Sequence, residues 1–255
     1  MSGGHLDPER LAELHAGEPA RTLQEALAVD HASLLASLLP AAPADLLETL
    51  RRNRRHGPLE RMRRTGAAVA EQLDAGARER LARSRSDTAR GWVCFAVACE
   101  LQEPRALLAE LREAADDPHF AVREWSWMAA RPALTARLEE SIRLLADWTA
   151  DPSERVRRFA SEALRPRGVW AKRIPELLRR PQLGLPLLEP LRADPARSVQ
   201  DSVGNWINDA AKSEPEWARR LCARWLEQSP HPATERIAAR GLRSLPPERP
   251  APARA

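Results

Sequence analysis

The sequence has little of what disulfide frameworks, zinc sites and membrane spans require. It contains only three cysteines, Cys94, Cys99 and Cys222, and they show no paired spacing, which argues against a disulfide framework or a zinc site. No apolar run approaches the roughly 18 residues that a membrane span needs. The N-terminus lacks the basic-then-apolar pattern of a secretory signal peptide. We therefore expect a soluble protein in a reducing compartment.

The chain also lacks the runs of β-branched residues that are typical of strands. Its periodic segments are instead rich in Ala, Leu, Arg and Glu, a composition that favours helices. No composition break divides the 255 residues. We therefore predict an all-α protein with a single helical domain over residues 1–245. The segment 246–255 is rich in proline and has no apolar face, so a disordered tail is expected there.

Lysine is scarce, since Lys172 and Lys212 are the only two and nearly all of the positive charge is arginine. The formal net charge is +4 and the isoelectric point is near 9.6. A basic domain is a candidate for nucleic-acid binding, and arginine suits bidentate contact with phosphate. A GC-rich genome would produce the same heavy use of Ala, Arg and Pro. The densest basic run, 51–64, is either a phosphate-binding surface or a solvated helix end.

Helices alternate with short breaks along most of the chain. A short helix is expected from Asp7-Pro8, an N-cap followed by an N1 proline, to about His15. Helical periodicity continues over 21–39 and restarts over 45–52. The later helices are predicted at about 66–84, 87–100, 104–115, 119–131, 135–149, 153–164, 171–179, 184–192, 196–211, 215–228 and 231–244.

Three helices begin with the same motif, Asp-Pro followed by three residues and a valine. The valines are Val122, Val156 and Val199, separated by 34 and 43 residues. Repeats of about this length, each a pair of helices, predict a HEAT-like α-solenoid of stacked antiparallel helix pairs. Such a solenoid offers a concave face to a long partner, which is most often another protein.

Superposition of these repeats on the valine separates an apolar stripe from a polar sector. At about 100° per residue, positions 0, +3, +4 and +7 form one face. This predicts Trp125 and Trp206 as core residues. The full predicted stripe consists of Val122, Trp125, Ser126, Ala129, Val156, Phe159, Ala160, Ala163, Val199, Ser202, Val203 and Trp206.

Three acids occupy a single sector away from that stripe. Glu124, Glu162 and Asp209 stand at +2, +6 and +10 of their repeats, so each lies about one turn further along its helix than the last. If these helices line the concave face, a superhelical tilt would bring the three carboxylates together. Chance is the alternative, because 30% of the chain is charged. At +9, beside the acids, stand Arg131, Arg165 and Asn208.

Three close carboxylates need a cation before all of them can ionise at low cost. The cation could belong to a metal site, a basic partner or a cationic substrate. No histidine lies at ligand spacing from the acids, since His119 and His231 stand apart, and a metal site is therefore disfavoured. Trp127 and Trp170 nearby favour a positively charged aromatic group, held by charge and by cation–π contact.

Two longer motifs carry a resemblance to a known family. RFASEALRPRGVW over 158–170 resembles the RRxxSEGxRPRxPW signature of the AlkC branch of the AlkC/AlkD DNA alkylation-repair glycosylases, and VGNWINDAAK over 203–212 is similar to its VANxLNDxxK stretch. VREWSW over 122–127 resembles its VREWAW stretch, with further similarity at 22–30 and 86–92. The chain departs from the family pattern at 163–164, 168–169 and 236–240.

The resemblance implies a HEAT-like solenoid that holds alkylated duplex DNA on its concave, DNA-binding face. It implies hydrolysis of the N-glycosidic bond of alkylated cationic bases, such as 3-methyladenine-type lesions, in base excision repair without full base flipping. Asp209 is then the catalytic residue, supported by Glu124 and Glu162. The residues implied in binding DNA or the lesion are Trp127, Trp170, Arg131, Arg165, Arg167, Asn208 and Lys212.

The same resemblance implies a bacterial, cytoplasmic protein that associates with the nucleoid when it is bound to DNA. No metal, other cofactor or membrane is expected to take part, and a monomer suits a solenoid that clamps DNA. The alternative is a non-catalytic HEAT-like solenoid that binds DNA or protein partners. Charge and repeat pattern fit both possibilities, so the chemistry of the acidic site has to distinguish them.

Overall fold

The computed structural model describes residues 6–168 and 170–246. Helices joined by turns and irregular segments make up this part of the chain, and no strand occurs in it, so the predicted all-α class is confirmed. The predicted disordered tail lies outside the described residues except for Pro246. None of the helices in the described ranges is long and apolar enough to span a membrane.

The helices group into two compact units, and the boundary between them in the chain falls between Arg137 and Leu138. The predicted single domain over 1–245 stays a prediction. The helices of the first unit are α1 Pro8–His15, α2 Leu23–Ala28, α3 His31–Leu38, α4 Ala44–Asn53, α5 Pro58–Gln72, α6 Ala75–Ala82, α7 Asp87–Glu100, α8 Pro104–Ala115 and α9 Phe120–Ala136.

In the first unit, alternate helices of the chain form a row in which each helix packs against the next. The helices α5, α7 and α9 lie side by side, while α6 packs on α7 and α8 packs on both α7 and α9. A close approach at Gly66 supports this row, because a Cβ at Gly66 would lie 2.3 Å from Cβ of Phe95. This alternation of stacked helix pairs is the packing that the repeat predicts.

One predicted helix of the first unit, 66–84, is wrong. The chain forms α5, which starts earlier at Pro58, and a separate helix α6. The break falls where Asp74 caps α6, since its Oδ1 accepts a hydrogen bond from the backbone N–H of Ala77 at 2.7 Å. Pro58 is preorganised for the first helical position, which explains the early start of α5.

The basic run 51–64 covers the end of α4, the turn that follows and the start of α5. Ion pairs offset much of its charge: Arg54 lies 3.1 Å from a carboxylate oxygen of Asp30, and Arg64 lies 2.6 Å from one of Glu60. Arg61 donates to the carbonyl oxygen of Leu27 at 2.7 Å. These contacts favour the solvated helix end over a dedicated phosphate surface.

The helices of the second unit are α10 Leu138–Trp148, α11 Glu154–Glu162, α12 Pro175–Arg179, α13 Leu185–Leu188, α14 Arg197–Ala211, α15 Pro215–Gln228 and α16 Pro232–Leu242. Here α11, α14 and α16 lie side by side, and α15 packs on α14 and α16. The helices predicted at 171–179 and 184–192 are shorter: the first starts only at Pro175, and the second is divided among α13 and two 3-10 turns. Prolines at 181, 186 and 190 interrupt longer helices there.

The predicted apolar stripe is confirmed in both units. Each of its twelve members has an exposed fraction of 4% or less, and Trp125 and Trp206 are core residues as predicted. Trp206 meets Gly184 so closely that a Cβ there would lie 2.3 Å from Cζ2 of the indole ring. The indole N–H of Trp206 also donates to the carbonyl oxygen of Leu164 at 3.1 Å, which ties α14 to the segment after α11.

Candidate active site

The residues of the two longer motifs meet in the second unit, where α11 ends and α14 passes beside it. After Glu162 the chain leaves the helix and forms an irregular segment, which the backbone N–H of Ile174 closes with a bond to the carbonyl oxygen of Pro166 at 3.0 Å. Pro166 cannot donate a backbone hydrogen bond, so the segment does not continue as a helix. This turn directs the side chain of Arg165 toward α14.

Arg165 joins two carboxylates in one buried network. Its Nε and Nη2 donate to Oδ2 of Asp209 at 3.0 and 2.9 Å, and its Nη1 donates to Oε1 of Glu162 at 2.7 Å. Glu162 and Asp209 are exposed by only 3% and 4%, although both stand outside the apolar stripe. The planar guanidinium fixes the direction of both carboxylates through its fork of donors.

Two serines complete the environment of Glu162. The hydroxyl of Ser202 donates to Oε2 of Glu162 at 2.7 Å, and the hydroxyl of Ser161 donates to that of Ser202 at 2.8 Å. Burial alone would raise the pKa of Glu162, but the positive charges of Arg165 and Arg158 and these hydrogen bonds outweigh it and lower that pKa. Glu162 is therefore a firmly ionised anchor for Arg165.

Asp209 has the opposite balance. Burial raises its pKa, and the positive charges of Arg165 and Lys212 offset that rise only in part. Both hydrogen bonds from Arg165 go to Oδ2, and Oδ1 accepts none from the described residues. One oxygen of Asp209 is thus held in place, while the other remains available to a ligand or a water molecule.

Arg167 and Asn208 hold the C-terminal part of this site together. Arg167 donates through Nε to the carbonyl oxygen of Asp209 at 3.2 Å and through Nη2 to the hydroxyl of Ser213 at 2.9 Å. Asn208 is buried and donates to the carbonyl oxygen of Gly241 at 3.2 Å and to the hydroxyl of Ser244 at 2.8 Å. Lys212 is exposed at the C-terminal cap of α14.

Trp170 is the exposed aromatic residue of the irregular segment, with 47% of its surface accessible. Its φ of 57° lies in the left-handed region, which costs a bulky side chain roughly 1–2 kcal/mol. An exposed indole in a strained backbone conformation is typical of a functional position.

The remaining predicted site residues lie on α9 in the first unit. Glu124 is half-buried and its Oε2 accepts the indole N–H of Trp127 at 2.8 Å. Trp127 and Arg131 are buried. The indole of Trp127 therefore orients Glu124, and convergence of Glu124 with the other two acids stays a prediction.

Within the ranges that the structure describes, no group of three or more His, Cys, Asp or Glu side chains is arranged to hold a metal ion. Arg165 supplies one positive charge to both Glu162 and Asp209, and Arg158 supplies a second to Glu162. The described cysteines Cys94, Cys99 and Cys222 are all free thiols.

Several residues of the network did not emerge from the sequence. Ser202 stands on the apolar stripe of its repeat, and a polar residue at a core position was the signal that could have identified it as a partner of Glu162. Asn205, Arg240 and Arg243 lie beside this network. No periodicity marks them, because they meet only through the packing of α16 on α14.

Three solved structures share this fold. AlkC of Pseudomonas fluorescens, an alkylpurine DNA glycosylase bound to DNA that contains an abasic site analog, is 25% identical with a TM-score of 0.68, over 94% of this chain and 63% of that one. AlkD2 from Streptococcus mutans is 16% identical with a TM-score of 0.62, over 75% and 92%. The protein smu.31 from Streptococcus mutans UA159 is 17% identical with a TM-score of 0.60, over 77% and 96%.

Among curated proteins, YhaZ of Bacillus subtilis, an uncharacterized protein, is 39% identical over 126 residues, which are 49% of this chain and 35% of YhaZ. No protein-family model matches the chain. The matched regions span less than two thirds of AlkC and about a third of YhaZ. The structural matches confirm the predicted HEAT-like α-solenoid fold and the resemblance to the AlkC/AlkD family.

Proposed function

We propose that this chain is a DNA glycosylase that hydrolyses the N-glycosidic bond of alkylated, cationic bases in duplex DNA, as the first step of base excision repair. The observation that carries the proposal is the buried carboxylate of Asp209, which Arg165 holds by one oxygen while the other accepts no hydrogen bond from the described residues. The structural likeness to a DNA-bound alkylpurine glycosylase supports it.

Asp209 suits a reaction whose positive charge moves from the base to the sugar. An alkylated base such as a 3-methyladenine-type lesion is already cationic, so its departure needs little help from a general acid. As the bond breaks, positive charge develops on the sugar, and a fixed carboxylate nearby stabilises it. Oδ1 of Asp209 would face this charge and accept a hydrogen bond from the water that attacks the sugar.

Arg165 and Glu162 act as positioning residues in this proposal. Arg165 was expected to contact phosphate, but its bonds to Asp209 and Glu162 and its burial favour a role in fixing the carboxylate. Burial raises the pKa of Asp209, which means that the site disfavours its negative charge when no cation is bound. A cationic lesion and the cationic transition state both relieve that cost.

Trp170 is the residue that we propose to stack against the lesion or its sugar, since its ring is exposed on the same irregular segment that carries Arg165 and Arg167. Stacking on an exposed ring does not require a base to be flipped into a deep pocket. Arg167 and Lys212 would contact phosphates near Asp209. On α9, Trp127 would act by orienting Glu124, which we propose as the second supporting acid together with Glu162.

The decisive experiment measures base release from alkylated duplex DNA. Methylated duplex is incubated with the wild-type protein, with Asp209→Asn and with the control Asp147→Asn, which changes an exposed carboxylate of α10. Free 3-methyl and 7-methyl bases are then separated by chromatography. We expect release by the wild type and by the control, and a loss of at least about a hundredfold in Asp209→Asn.

Binding of the same duplex separates catalysis from recognition. Asp209→Asn keeps the size of the side chain and the hydrogen bonds that Arg165 donates, so binding should persist while base release is lost. If the wild-type protein binds DNA but releases neither base, the glycosylase proposal fails for these lesions. The non-catalytic solenoid would then be the better description.

A further inference from the structure

The packing of α14 on α16 brings a second set of charges next to Asp209. The helices approach closely at two glycines: a Cβ at Gly204 would lie 2.8 Å from Cβ of Arg240, and one at Gly241 would lie 2.8 Å from Cγ2 of Ile207. The aliphatic part of Arg240 therefore lies directly on the backbone of α14. Only the absence of a side chain at Gly204 leaves room for it.

Polar residues on α14 receive the arginines of the C-terminal segment. Nε of Arg240 and Nη2 of Arg243 both donate to Oδ1 of Asn205, each at 3.0 Å. Nη1 of Arg240 lies 3.3 Å from Oδ1 of Asp201, and Nη2 of Arg236 lies 2.6 Å from the same oxygen. Two guanidinium groups thus converge on a single neutral amide oxygen.

The charges in this cluster do not balance. Arg236 and Arg240 share the carboxylate of Asp201, and Arg243 makes no ion pair with the described residues, so three arginines of the cluster contact only one carboxylate between them. Burial lowers the pKa of Arg243, and repulsion by Arg240 lowers it further, while the charge of Asp209 acts in the opposite direction. Each guanidinium has five donors, and those that Asn205, Asp201 and the backbone leave over can bind an anion.

The position of the cluster relates it to the proposed reaction. Asn205 precedes Asp209 by four residues on α14, about one helical turn or 6 Å. Successive charges on one strand of B-DNA are about 3.4 Å apart along the axis. An anion held between the two arginines at Asn205 would thus lie within about two nucleotides of a sugar placed at Asp209.

We propose that Arg240 and Arg243, positioned by Asn205, bind a phosphodiester group of the DNA within about two nucleotides of the base that is released. This inference rests on the proposed function, and it assigns to the site a phosphate contact that secures the DNA backbone beside the reacting sugar. Arginine is suited to this contact because its planar fork of donors matches phosphate oxygens.

The first test is the salt dependence of binding to a duplex that contains an abasic site analog. Each lost phosphate contact makes the slope of log K against log [salt] less negative by about 0.9. The loss of DNA affinity in a variant, relative to the wild type, should therefore be about 3-fold larger at 50 mM than at 200 mM salt. We expect this for Arg243→Gln. The control Arg220→Gln, an exposed residue of α15 with the same charge change, should leave the slope nearly unchanged.

The second test removes the phosphate charge instead of the arginine. Duplexes with one neutral methylphosphonate at each position near the abasic site analog should include one or two on which wild type and Arg243→Gln bind equally. If every substituted duplex retains the full difference, no single phosphate is the partner of Arg243. Protection of the wild type from thermal unfolding by inorganic phosphate, without any effect of Arg243→Gln on DNA binding, would also overturn the inference.

The outcomes for the inference and for the proposed function can be told apart. If the wild-type protein does not bind the duplex or release a base, the proposed function fails. If it does both, but Arg243→Gln and Arg220→Gln share the wild-type slope, only the phosphate site fails. Because the stem of Arg240 packs on Gly204, Arg243→Gln is the primary variant, and its Tm must match that of wild type.

Discussion

Replacement of Arg165 by methionine should leave two buried carboxylates without their shared counter-ion. Methionine fills a similar space and supplies no charge, while Glu162 and Asp209 remain exposed by only 3% and 4%. Removal of one partner of a buried ion pair costs about 3–5 kcal/mol, because the charge left behind is uncompensated. A domain has about 5–15 kcal/mol of stability in total, so Arg165→Met should be folded but much less stable near neutral pH.

The pH dependence should identify the cause of that loss. In the wild type, the pKa of Glu162 lies below its ordinary value of 4.5, so its contribution to stability is present above pH 4.5 and is lost as the pH falls through the lowered pKa. In Arg165→Met, loss of the shared counter-ion should raise the pKa of both carboxyl groups, and that of Asp209 more, because Arg158 still lies 3.9 Å from a carboxylate oxygen of Glu162. The folded variant then binds protons more readily, and its stability deficit should shrink as the pH falls from about 7.5 to about 5.

Urea unfolding followed by circular dichroism at both pH values measures this difference. Arg220→Met, at an exposed position of α15, should change the unfolding free energy by less than about 0.5 kcal/mol at either pH. Arg165→Lys retains the positive charge but loses the fork, so its deficit should be smaller than that of Arg165→Met. A deficit in Arg165→Met that is equal at both pH values would refute the idea that uncompensated carboxylates cause it.

Three further predictions concern the same unit. At neutral pH, Glu162→Gln should lower the unfolding free energy by about 1–3 kcal/mol, because the favourable contacts of ionised Glu162 with Arg165, Arg158 and Ser202 outweigh the cost of its burial and lower its pKa. Asp209→Asn should be neutral or stabilising, since burial raises the pKa of Asp209. The opposite ranking of the two variants in urea unfolding would contradict both predictions. Gly184→Ala places a Cβ 2.3 Å from the ring of Trp206 and should cost about 1–3 kcal/mol, which calorimetry would register as a lower Tm. Trp170→Gly should stabilise the fold by up to about 1 kcal/mol by removing the strain of φ 57°, and should weaken binding to lesion-containing duplex in a fluorescence titration; a loss of stability would show that the ring packs more than its exposure indicates.

The helical repeats were predictable because a single physical regularity determines them. The valine of each Asp-Pro motif starts a stripe with the helical period, and each member of the stripe is buried. Boundaries were less accurate where residues that favour helices continue past a break. Between Pro58 and Ala82 the composition is helical throughout, and only the cap at Asp74 and its bond to Ala77 separate the two helices.

The candidate site was only partly predictable, because its main contacts join distant parts of the chain. The sequence indicated Glu162, Asp209 and Arg165 as neighbours in one sector, but no period says that Arg165 bonds to both acids. That depends on the irregular segment around Pro166 and on a contact across 44 residues. The arginines at 240 and 243 were missed for the same reason, since they reach Asn205 only through the glycine contacts between α14 and α16.

The two acids that share Arg165 differ in what the fold does to their charges. The fold lowers the pKa of Glu162, because two arginines and a serine outweigh its burial, whereas it raises that of Asp209, where burial prevails. Glu162 is thus suited to fixing Arg165, and Arg165 in turn fixes Oδ2 of Asp209. A carboxylate that is held firmly but is short of positive charge is arranged to interact with a cation that arrives from outside the protein. This difference favours Asp209 over Glu162 as the group that faces the reacting sugar.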